Sequence, residues 1–313
     1  MMMLEPVNFA GLRGELRRDE PMARHTSWRC GGRADSAYVP ADREDLAALV
    51  RQLPPTEPVI PVGLGSNLLV RDGGIRGTVL LLHAALAGLE MDGEAIVADA
   101  GVPAPKLARF AALHGRVDAE FLAGIPGTVG GALAMNAGCY GGETWRFVED
   151  VEVLTRSGEL ERRTASDYVI GYRSVVSHPP GSRREDVAFT RGCFVFPAGD
   201  GAKARLRIKE LLARRIASQP LQLPNAGSVF RNPEGDHAAR LIESCKLKGF
   251  AIGGASISVK HANFIVNEHG KASAADIEAL IAHAQGVVFE TTGVRLETEV
   301  RIVGEQAGGT WHE

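Results

Sequence analysis

The sequence predicts an α+β fold in two domains, residues 1–196 and 197–313. Helical and strand-like segments alternate irregularly, without the regular βαβα order of a doubly wound fold. Two glycine-rich loops, at 63–67 and 124–131, lie in the first part, where missing Cβ atoms allow the backbone to approach a ligand. After Pro197 the chain changes to a strongly basic helical segment, so we place a linker at 197–203.

The first domain starts with a helix at 42–53, which Asp42 can cap and which Pro54-Pro55 would end. Aliphatic and β-branched runs then predict three strands at 59–62, 78–82 and 95–99. These elements supply the apolar faces that a first core needs.

The remainder of this domain contains one more helix and two longer strands. A helix is expected at 103–114, with Gly115 as its C-cap. The strands are expected at 148–155 and 187–196, and Pro179-Pro180-Gly181 predicts a turn before the second of them.

The second domain opens with the basic helix and closes on a strand. Ser273-Ala-Ala-Asp276 resembles a capping box and predicts a helix from residue 274. The other predicted elements are the basic helix at 200–217, a helix at 236–247, and strands at 251–259, 264–266 and 294–303.

Composition excludes some classes of function. The 313 residues suffice for two cores, and 45% hydrophobic with 23% charged residues is ordinary for a globular protein. The net charge of −3 gives no basic field for nucleic acid. Acidic residues accompany the basic ones at 200–217, which favours a solvated helix face there. Nucleic acid is therefore not an expected partner.

Cysteine usage and the absence of targeting segments predict a cytoplasmic protein. Cys30, Cys139, Cys193 and Cys245 are scattered without a C-x-x-C pair, so neither a disulfide framework nor a metal site is expected. No apolar run reaches transmembrane length, and the first six residues lack the basic and apolar regions of a signal peptide. We expect no membrane association.

The first glycine loop suggests a phosphate site. It reads Gly63-Leu-Gly-Ser-Asn67 between two strand-like runs, and successive N–H groups in such a turn can converge on an anion. It is not a dinucleotide fingerprint, because the third glycine is absent and a strand follows instead of a helix. A hairpin turn without a ligand explains the same residues equally well.

The second glycine loop, at 124–131, precedes a short run of small residues. Backbone donors at the start of a helix there would suit a pyrophosphate or the edge of a flavin ring. Close packing alone is the alternative explanation. Since two such loops stand about sixty residues apart, one extended cofactor explains both better.

Polar residues in the second domain suggest chemistry. A serine in the turn Asn225–Pro233 lacks the G-x-S-x-G pattern of a hydrolase nucleophile. The run 260–263 places a lysine, a histidine and an asparagine in an apolar strand, which is costly unless they are paired or face a cavity. Glu297, Glu299 and Arg301 alternate onto one strand face, although a solvated face would look the same.

These motifs, in their order along the chain, resemble the UDP-N-acetylenolpyruvoylglucosamine reductase family. Each motif alone is weak, whereas the set is highly specific and extends from about His25 to Val303. The resemblance rests on 63–70, 124–132, 136–138, 171–173, 226–233, 241–243, 248–250, 260–267 and 299–301.

The resemblance implies an FAD-binding fold of the vanillyl-alcohol-oxidase (PCMH) type in two subdomains, with its core at about 24–196, and a smaller C-terminal α+β substrate domain at 197–313. It implies non-covalent FAD, NADPH as electron donor, and a small-molecule substrate, a UDP-sugar enolpyruvyl ether of peptidoglycan synthesis. We expect a monomer. The short segment after Phe196 has no tyrosine and resembles the branch that lacks a tyrosine-bearing substrate loop.

The resemblance also implies site residues. Arg173 would face the substrate carboxylate, Ser228 would donate the proton, and Glu299 would polarise the intermediate or relay a proton. The other implied substrate contacts are Tyr172, Asn232, Lys260 and His261. The implied FAD contacts are Gly63, Leu64, Gly65, Ser66, Asn67, Leu68, Gly124, Ile125, Pro126, Gly127, Thr128, Gly130, Gly131, Asn136 and Gly138.

Two alternatives remain from the sequence. One is another flavoprotein of the same FAD-binding class, an oxidase or hydroxy-acid dehydrogenase, which would leave the C-terminal motifs without a common explanation. The other is a non-enzymatic nucleotide-binding module in which both glycine loops are structural. Flavin absorbance in the purified protein and the preferred electron acceptor distinguish these two alternatives from the reductase.

Overall fold

The structure, a computed structural model, describes residues 11–178 and 186–308. The chain folds into two compact units, each built from three segments. Unit 1 comprises Met1–Arg18, Ser36–Gly63 and Gly77–Ile208, and unit 2 comprises Asp19–Asp35, Leu64–Arg76 and Lys209–Glu313. These units are discontinuous in sequence, and the domain boundary at residues 196/197 stays a prediction.

The described residues form α-helices and strands as follows. The helices are α1 (Arg43–Gln52), α2 (Ala104–Leu113), α3 (Val129–Ala134), α4 (Gly201–Ser218), α5 (Ala238–Ser244) and α6 (Ala274–Thr292). The strands up to the second glycine loop are β1 (Glu15–Pro21), β2 (Arg33–Val39), β3 (Val59–Val62), β4 (Leu68–Val70), β5 (Ile75–Leu81), β6 (Leu89–Asp92) and β7 (Ala95–Asp99). The later strands are β8 (Gly138–Cys139), β9 (Gly142–Glu143), β10 (Val148–Thr155), β11 (Leu160–Arg163), β12 (Tyr168–Gly171), β13 (Ser174–Ser177), β14 (Asp186–Phe194), β15 (Ala251–Ile252), β16 (Ala255–Ile257), β17 (Ile265–Val266) and β18 (Arg301–Val303).

Unit 1 contains a five-stranded antiparallel sheet in the order β11-β10-β14-β7-β6. Helix α1 buries Leu46 and Leu49 in a core with Tyr38 and Leu154. In β14 the buried positions alternate with half-buried ones, as expected for a strand with one face on a core. The hairpin β12–β13 forms a separate antiparallel pair.

Unit 2 is built around α6. This helix packs Ile277, Leu280 and Ile281 into a core that also includes Trp28, which is fully buried. The Trp28 indole N–H donates to the carbonyl of Ile265 at 2.8 Å, so the ring is both packed and hydrogen-bonded. The small sheet β15-β16-β17 and the parallel pair β18-β4 complete the unit.

The structure confirms most predicted elements. The Asp42 side chain caps α1 by accepting from the N–H of Asp45 at 2.8 Å. Gly115 follows α2 with φ +65°, the left-handed conformation expected at a helix end. The predicted strand at 148–155 has the observed bounds of β10. The turn predicted at Pro179–Gly181 lies outside the described residues.

The structure corrects three elements of unit 2. The single strand predicted at 251–259 is the hairpin β15–β16, because Gly253, with φ +54°, turns the chain there. The helix predicted at 236–247 ends at Ser244, and Lys246 already has a positive φ of +58°. Of the strand predicted at 294–303, only Arg301–Val303 belongs to a regular ladder.

The turn at 63–67 is not a hairpin. Strand β3, before the turn, pairs with β5, whereas β4, after it, pairs in parallel with β18. The two strands flanking the turn therefore do not pair with each other. The hairpin alternative from the sequence is wrong, and the turn needs another explanation.

Asp276 makes helix α6 sensitive to acid. Its carboxylate accepts backbone hydrogen bonds from Ser273 and Gly254, and these bonds lower the pKa of Asp276 below its ordinary value. The pKa of Asp276 is lower in the folded protein than in the unfolded chain, where it is about 3.9, so the ionised carboxylate stabilises the fold above that pH. This stabilisation is lost as the pH falls through the pKa of the folded state. Asp276→Asn should therefore lower the free energy of unfolding by about 1 kcal/mol near neutral pH.

Chemical denaturation of Asp276→Asn and wild type at several pH values measures this difference. We expect the difference to shrink below the unfolded pKa, because the wild-type carboxylate is then protonated as well. A difference that stays constant across that range would contradict the assignment.

None of the helices in residues 11–178 and 186–308 combines the length and apolar character needed to cross a membrane.

Candidate active site

The chain at 25–27 holds the first glycine turn in place within unit 2. Gly65 has φ +61°, and a Cβ there would lie 2.0 Å from the carbonyl oxygen of His25. The N–H and the hydroxyl of Ser27 both donate to the carbonyl of Gly65 at 3.2 Å. Only glycine fits this position, because of both its backbone conformation and the close approach of His25.

The turn presents a row of backbone donors. Among the residues that the structure describes, no acceptor takes a hydrogen bond from the N–H of Leu64, Gly65, Ser66 or Asn67. Four successive N–H groups with no protein acceptor are what a phosphate needs from a backbone cradle. The Asn67 side chain is used within the protein, since its amide donates to the carbonyl of Glu299 at 3.1 Å.

The second glycine loop is bonded to the segment after β7. Val129 and Gly130 donate to the carbonyls of Val102 and Ala100, at 2.8 and 2.9 Å. The side chain of Thr128 caps α3 by accepting from the N–H of Gly131. The N–H groups of Val129, Gly130 and Gly131 thus have acceptors within the protein, and the FAD contacts predicted for Gly130 and Gly131 stay predictions.

The loop just before α3 is different. Within the described part of the chain, no acceptor takes a hydrogen bond from the N–H of Gly127 or Thr128. Gly63 lies against this loop in unit 1, because a Cβ on Gly63 would be 2.5 Å from the Thr128 hydroxyl oxygen. The structure therefore brings the end of β3 and the second glycine loop together within unit 1.

The other predicted FAD residues take several environments. Ile125 is buried, and Leu64, at 39%, is exposed. A Cβ on Gly124 would meet the sulfur of Cys139 at 2.6 Å, and one on Gly138 would meet the carbonyl of Gly142 at 2.3 Å. Pro126 and Gly131 are exposed, and Asn136 is buried. The remaining predicted residues are Ser66, Leu68 and Gly130.

The residues present fit FAD. A phosphate needs N–H donors from a backbone that it can approach closely, and each loop, taken by itself, offers N–H groups without acceptors among the described residues. Glycine at 63 allows close packing against Thr128, and glycine at 65 allows close packing against His25. The main chain would hold this group.

Asn136 organises the tip of the β12–β13 hairpin in unit 1. Its amide donates to the carbonyl of Gly171 at 3.2 Å and to the carboxylate of Glu143 at 3.0 Å. Its carbonyl oxygen accepts from the N–H of Trp145 at 3.1 Å. The side chain therefore acts as a support for residues 171–173, in addition to the FAD contact predicted for it.

Arg173 lies at that hairpin tip. Its guanidinium donates to the carbonyl of Gly138 at 2.6 Å and lies 5.0 Å from the ring of Tyr172. The backbone has φ +53°, an uncommon conformation for a residue with a side chain and one often found at functional positions. Gly138 and Arg173, predicted from separate motifs, are thus neighbours.

Ser228 lies in a hydrogen-bonded turn of unit 2. Gly227 has φ +73° and donates its N–H to the side-chain oxygen of Asn225 at 2.9 Å. Asn225 in turn donates to the carbonyls of Pro220 and Leu223. Ser228 itself is half-buried, whereas the next two residues, Val229 and Phe230, are buried.

Glu299 is a neighbour of this turn. Its N–H donates to the carbonyl of Val229 at 2.8 Å, and a β-bridge joins Phe230 to Thr298. Arg231 continues the pairing by donating its N–H to the carbonyl of Glu297 at 2.9 Å. The serine and the glutamate, 71 residues apart in sequence (299 − 228), are therefore on adjoining backbone segments.

The predicted substrate residues of unit 2 have protein partners as well. The Asn232 side chain accepts from the N–H of Ala238 at the start of α5, and the Lys260 amine donates to the carbonyl of Ile216 at 2.6 Å. Burial, with Lys248 as a further cause, lowers the pKa of His261, so its imidazole is held in the neutral form. Its Nδ1 accepts from the N–H of Asn263 at 3.3 Å.

The structure thus places Arg173 in unit 1 and both Ser228 and Glu299 in unit 2. Sequence reasoning missed the contributions of Asn225 and His25. The Asn-Ala-Gly order at 225–227 is typical of a turn in which an asparagine side chain accepts from the backbone two residues later, and could have identified Asn225. The role of His25 rests on its carbonyl, which no side-chain pattern reveals.

Gly65→Ala should weaken FAD binding. The new Cβ would collide with the His25 carbonyl and would be strained at φ +61°, so the turn must shift. We expect the dissociation constant for FAD, measured by quenching of flavin fluorescence, to rise at least about tenfold.

Gly93→Ala is the matched control, because Gly93 has nearly the same φ, +58°, with nothing within 4 Å of an added Cβ. It should cost about 1 kcal/mol of stability and leave FAD affinity unchanged. Equal FAD affinity in Gly65→Ala and wild type would refute the role of the turn.

Three possible metal ligands, on Glu149, Asp150 and Cys193, lie within 4.8 Å of one another in unit 1. Arg162 already donates to the Asp150 carboxylate at 2.5 Å, and Glu149 is exposed. Burial, with Asp150 next in effect, raises the pKa of Cys193 to about 11, which keeps the thiol protonated. These groups give no support for a metal site.

Two family models match the chain. A model described as "FAD binding domain" matches residues 34–164. A second, described as "UDP-N-acetylenolpyruvoylglucosamine reductase, C-terminal domain", matches residues 219–303. Together they cover both glycine loops, Ser228 and Glu299.

Similar proteins carry the same name. A UDP-N-acetylenolpyruvoylglucosamine reductase of Nitrosospira multiformis is 56% identical over 98% of this chain and 93% of its own length. One of Thiobacillus denitrificans is 56% identical over 94% of each chain. The crystal structure of the corresponding reductase from Thermus caldophilus matches with a TM-score of 0.77 and 32% identity, over 93% of this chain and 99% of its own.

The expected PCMH-type α+β fold and the expected FAD-dependent oxidoreductase are thereby confirmed. The chain belongs to the UDP-N-acetylenolpyruvoylglucosamine reductase family, the FAD-dependent oxidoreductases that serve peptidoglycan synthesis.

Proposed function

We propose that the protein reduces UDP-N-acetylglucosamine enolpyruvate to UDP-N-acetylmuramate with electrons from NADPH. The observation that carries this proposal is the backbone pairing that joins the Ser228 turn to Glu299, with 2.8 Å between the Glu299 nitrogen and the Val229 oxygen. A hydroxyl and a carboxyl on adjoining segments are suited to proton delivery. The names of the relatives supply the class of substrate.

Bound FAD would supply the chemistry that these side chains lack, by accepting electrons from NADPH and passing hydride to the vinyl carbon of the substrate. The N–H groups of Gly127 and Thr128, and those of residues 64–67, would bind its phosphates. Gly63, packed against Thr128, and Gly65, packed against His25, would hold the backbone of the first loop in place for this contact.

Arg173 would stabilise the negative charge that develops on the substrate carboxylate. Its planar guanidinium offers several N–H donors in a fixed fork. Since the Gly138 carbonyl accepts from one terminal nitrogen, the guanidinium is oriented before the substrate binds. A pre-oriented cation costs no reorganisation when charge develops, which is the main advantage of such a group.

Ser228 would donate the proton to the remaining carbon. A free hydroxyl is a weak acid, but an enolate-like carbon is a strong base, so position outweighs the acid strength of the donor. The turn formed by Asn225 and Gly227 supplies that position. Glu299, on the adjoining segment, would polarise the intermediate or relay a proton.

Tyr172, Asn232, Lys260 and His261 would contact the sugar nucleotide. Tyr172 is exposed at the hairpin tip next to Arg173. The neutral imidazole of His261 would act as a hydrogen-bonding group and not as a cation, since burial lowers its pKa. We propose further that the protein is a cytoplasmic monomer in which residues 197–313 form the substrate domain.

An anaerobic acceptor assay tests the function. The purified holoenzyme is reduced with NADPH, and flavin absorbance is followed after addition of the enolpyruvyl sugar nucleotide, or of oxygen in a parallel sample. We expect rapid reoxidation by the sugar nucleotide and slow reoxidation by oxygen. Preferential reoxidation by oxygen would favour an oxidase of the same fold, and a preparation without bound flavin would favour a non-enzymatic module.

A further inference from the structure

Asn263 makes an unusual set of contacts that the proposed mechanism does not use. Its side chain is buried within unit 2, with 4% of its surface exposed. An amide in that position must find hydrogen-bond partners, because an unpaired buried donor or acceptor is costly. All of the partners that the structure shows for this amide belong to one residue.

That residue is Phe230. The Asn263 side-chain oxygen accepts from the N–H of Phe230 at 2.9 Å, and the side-chain nitrogen donates to the carbonyl of Phe230 at 2.8 Å. The main-chain carbonyl of Asn263 accepts from the N–H of Val229 at 2.9 Å. The side-chain amide of Asn263 thus bonds both the N–H and the carbonyl of Phe230, as the backbone of a neighbouring strand would do.

The opposite edge of the same segment pairs with residues 297–299. Val229 accepts from Glu299 on that side, and Arg231 donates to Glu297. Residues 229–231 are consequently held from two sides. Ser228 immediately precedes them, and the Asn225–Gly227 contact fixes the chain before it.

We propose that Asn263 is the positioning residue for Ser228. By fixing both polar groups of Phe230, it sets where the serine hydroxyl lies relative to the carbon that must be protonated. Asn263 touches neither substrate nor FAD in this assignment and acts only through the turn. The proposal rests on the function proposed above for Ser228.

Asn263→Asp is the sharpest test, because it keeps the shape and changes only the donor. A protonated carboxyl group can donate to the Phe230 carbonyl and accept from its N–H, whereas a carboxylate can only accept. The variant should therefore resemble wild type at low pH and lose activity as pH rises. His261, whose Nδ1 accepts from the N–H of Asn263, is the titratable neighbour that the described contacts show, and the wild-type profile corrects for it.

The measurement is stopped-flow kinetics of the two half-reactions of the holoenzyme across a pH series. Once the introduced carboxyl group is ionised, reoxidation by the enolpyruvyl sugar nucleotide should slow by roughly a hundredfold, the cost of an ångström-scale misplacement of a reacting group. Reduction of the bound flavin by NADPH should stay within about twofold of wild type. Asn263→Leu, which lacks both bonds, should show the loss at every pH.

Hydrogen exchange provides a second readout that is independent of turnover. Amide exchange in the peptide 226–231 should accelerate in Asn263→Asp at high pH, relative to wild type at the same pH. Unchanged exchange in that peptide would overturn the proposal.

Asn267→Asp is the matched control. Asn267 is fully buried in the same unit and likewise makes two side-chain bonds, to the carbonyl of Trp28 and the N–H of Ala272, but none to the Ser228 turn. It should lower thermal stability without the selective loss of the sugar half-reaction. An equal selective loss in Asn267→Asp, or equal losses in both half-reactions of Asn263→Asp, would overturn the proposal.

Ser228→Ala, measured in parallel, separates the two hypotheses. If it retains wild-type turnover, the proposed function of the serine fails, and the positioning role fails with it. If it is impaired while Asn263→Asp is normal at every pH, only the positioning role is overturned.

Discussion

Ser228→Ala is expected to slow reduction of the enolpyruvyl sugar nucleotide by roughly a thousandfold, while NADPH still reduces the bound flavin at the wild-type rate. The substitution removes one oxygen atom from a half-buried side chain and leaves the turn intact. The turn is held by main-chain bonds of Gly227, Val229 and Phe230, none of which involves the serine hydroxyl. The loss should therefore appear in kcat, with little change in protein stability.

Separate measurement of the two half-reactions identifies the affected step. Ser244→Ala is the control, because Ser244 is an exposed serine of α5 in the same unit, whose hydroxyl donates to the carbonyl of Leu241 at 2.7 Å and, among the described residues, makes no hydrogen bond to the Ser228 turn. We expect normal turnover in that variant. Normal turnover in Ser228→Ala as well would remove the serine from the mechanism.

Arg173→Lys is expected to lower kcat/KM for the sugar nucleotide by roughly a hundredfold or more. An ammonium is a point charge and does not reproduce the forked donors of a guanidinium on a carboxylate. It would also lose the geometry with which Arg173 donates to the carbonyl of Gly138. Because lysine and arginine both carry a Cβ, the strain of φ +53° is the same in the two proteins.

Steady-state kinetics with variable sugar nucleotide measures this effect, and FAD retention verifies that the cofactor site is intact. Arg162→Lys is the control, because Arg162 is an exposed arginine of unit 1 paired with Asp150. It should behave as wild type, since exposed ion pairs contribute little. A kcat/KM within about twofold of wild type in Arg173→Lys would refute the assigned role.

The sequence predicted the secondary structure best where local chemistry decides it. Asp42 and the Ser273–Asp276 capping box marked helix starts, because a side chain there bonds the first free N–H groups. Strand β10 was predicted with its observed bounds. In these places, the residues that determine the element are neighbours in sequence.

Prediction of strands from the sequence failed where the segments that pair with them are distant in sequence. Alternation at 294–303 predicted one long strand, yet residues 297–299 pair with 229–231 through a bridge and only Arg301–Val303 forms a ladder, with β4. The same limit applies to the turn at 63–67. Its flanking strands looked like a hairpin, whereas each pairs with a strand far along the chain.

At the candidate site, some features could be predicted from the sequence and others could not. The residue types at Ser228, Glu299 and Arg173 were identified through the family motifs, and the structure shows that the serine turn and the glutamate adjoin. The support around them was not predictable, because it consists of main-chain carbonyls and of amides such as Asn136 and Asn263. A polar residue in an apolar run indicates that a partner exists, but the partner itself is fixed only by tertiary structure.

Protonation of the substrate in deuterated water is the most direct test of the central claim, that a positioned Ser228 hydroxyl donates the proton. A single turnover of reduced wild-type holoenzyme with the enolpyruvyl sugar nucleotide in D₂O, analysed by NMR of the product, reveals whether an exchangeable group protonates the ether carbon and on which face. A serine held in a fixed turn predicts one deuterium at that carbon in a single configuration. A product with no deuterium there, or with both configurations in equal amounts, would contradict a positioned hydroxyl donor at Ser228.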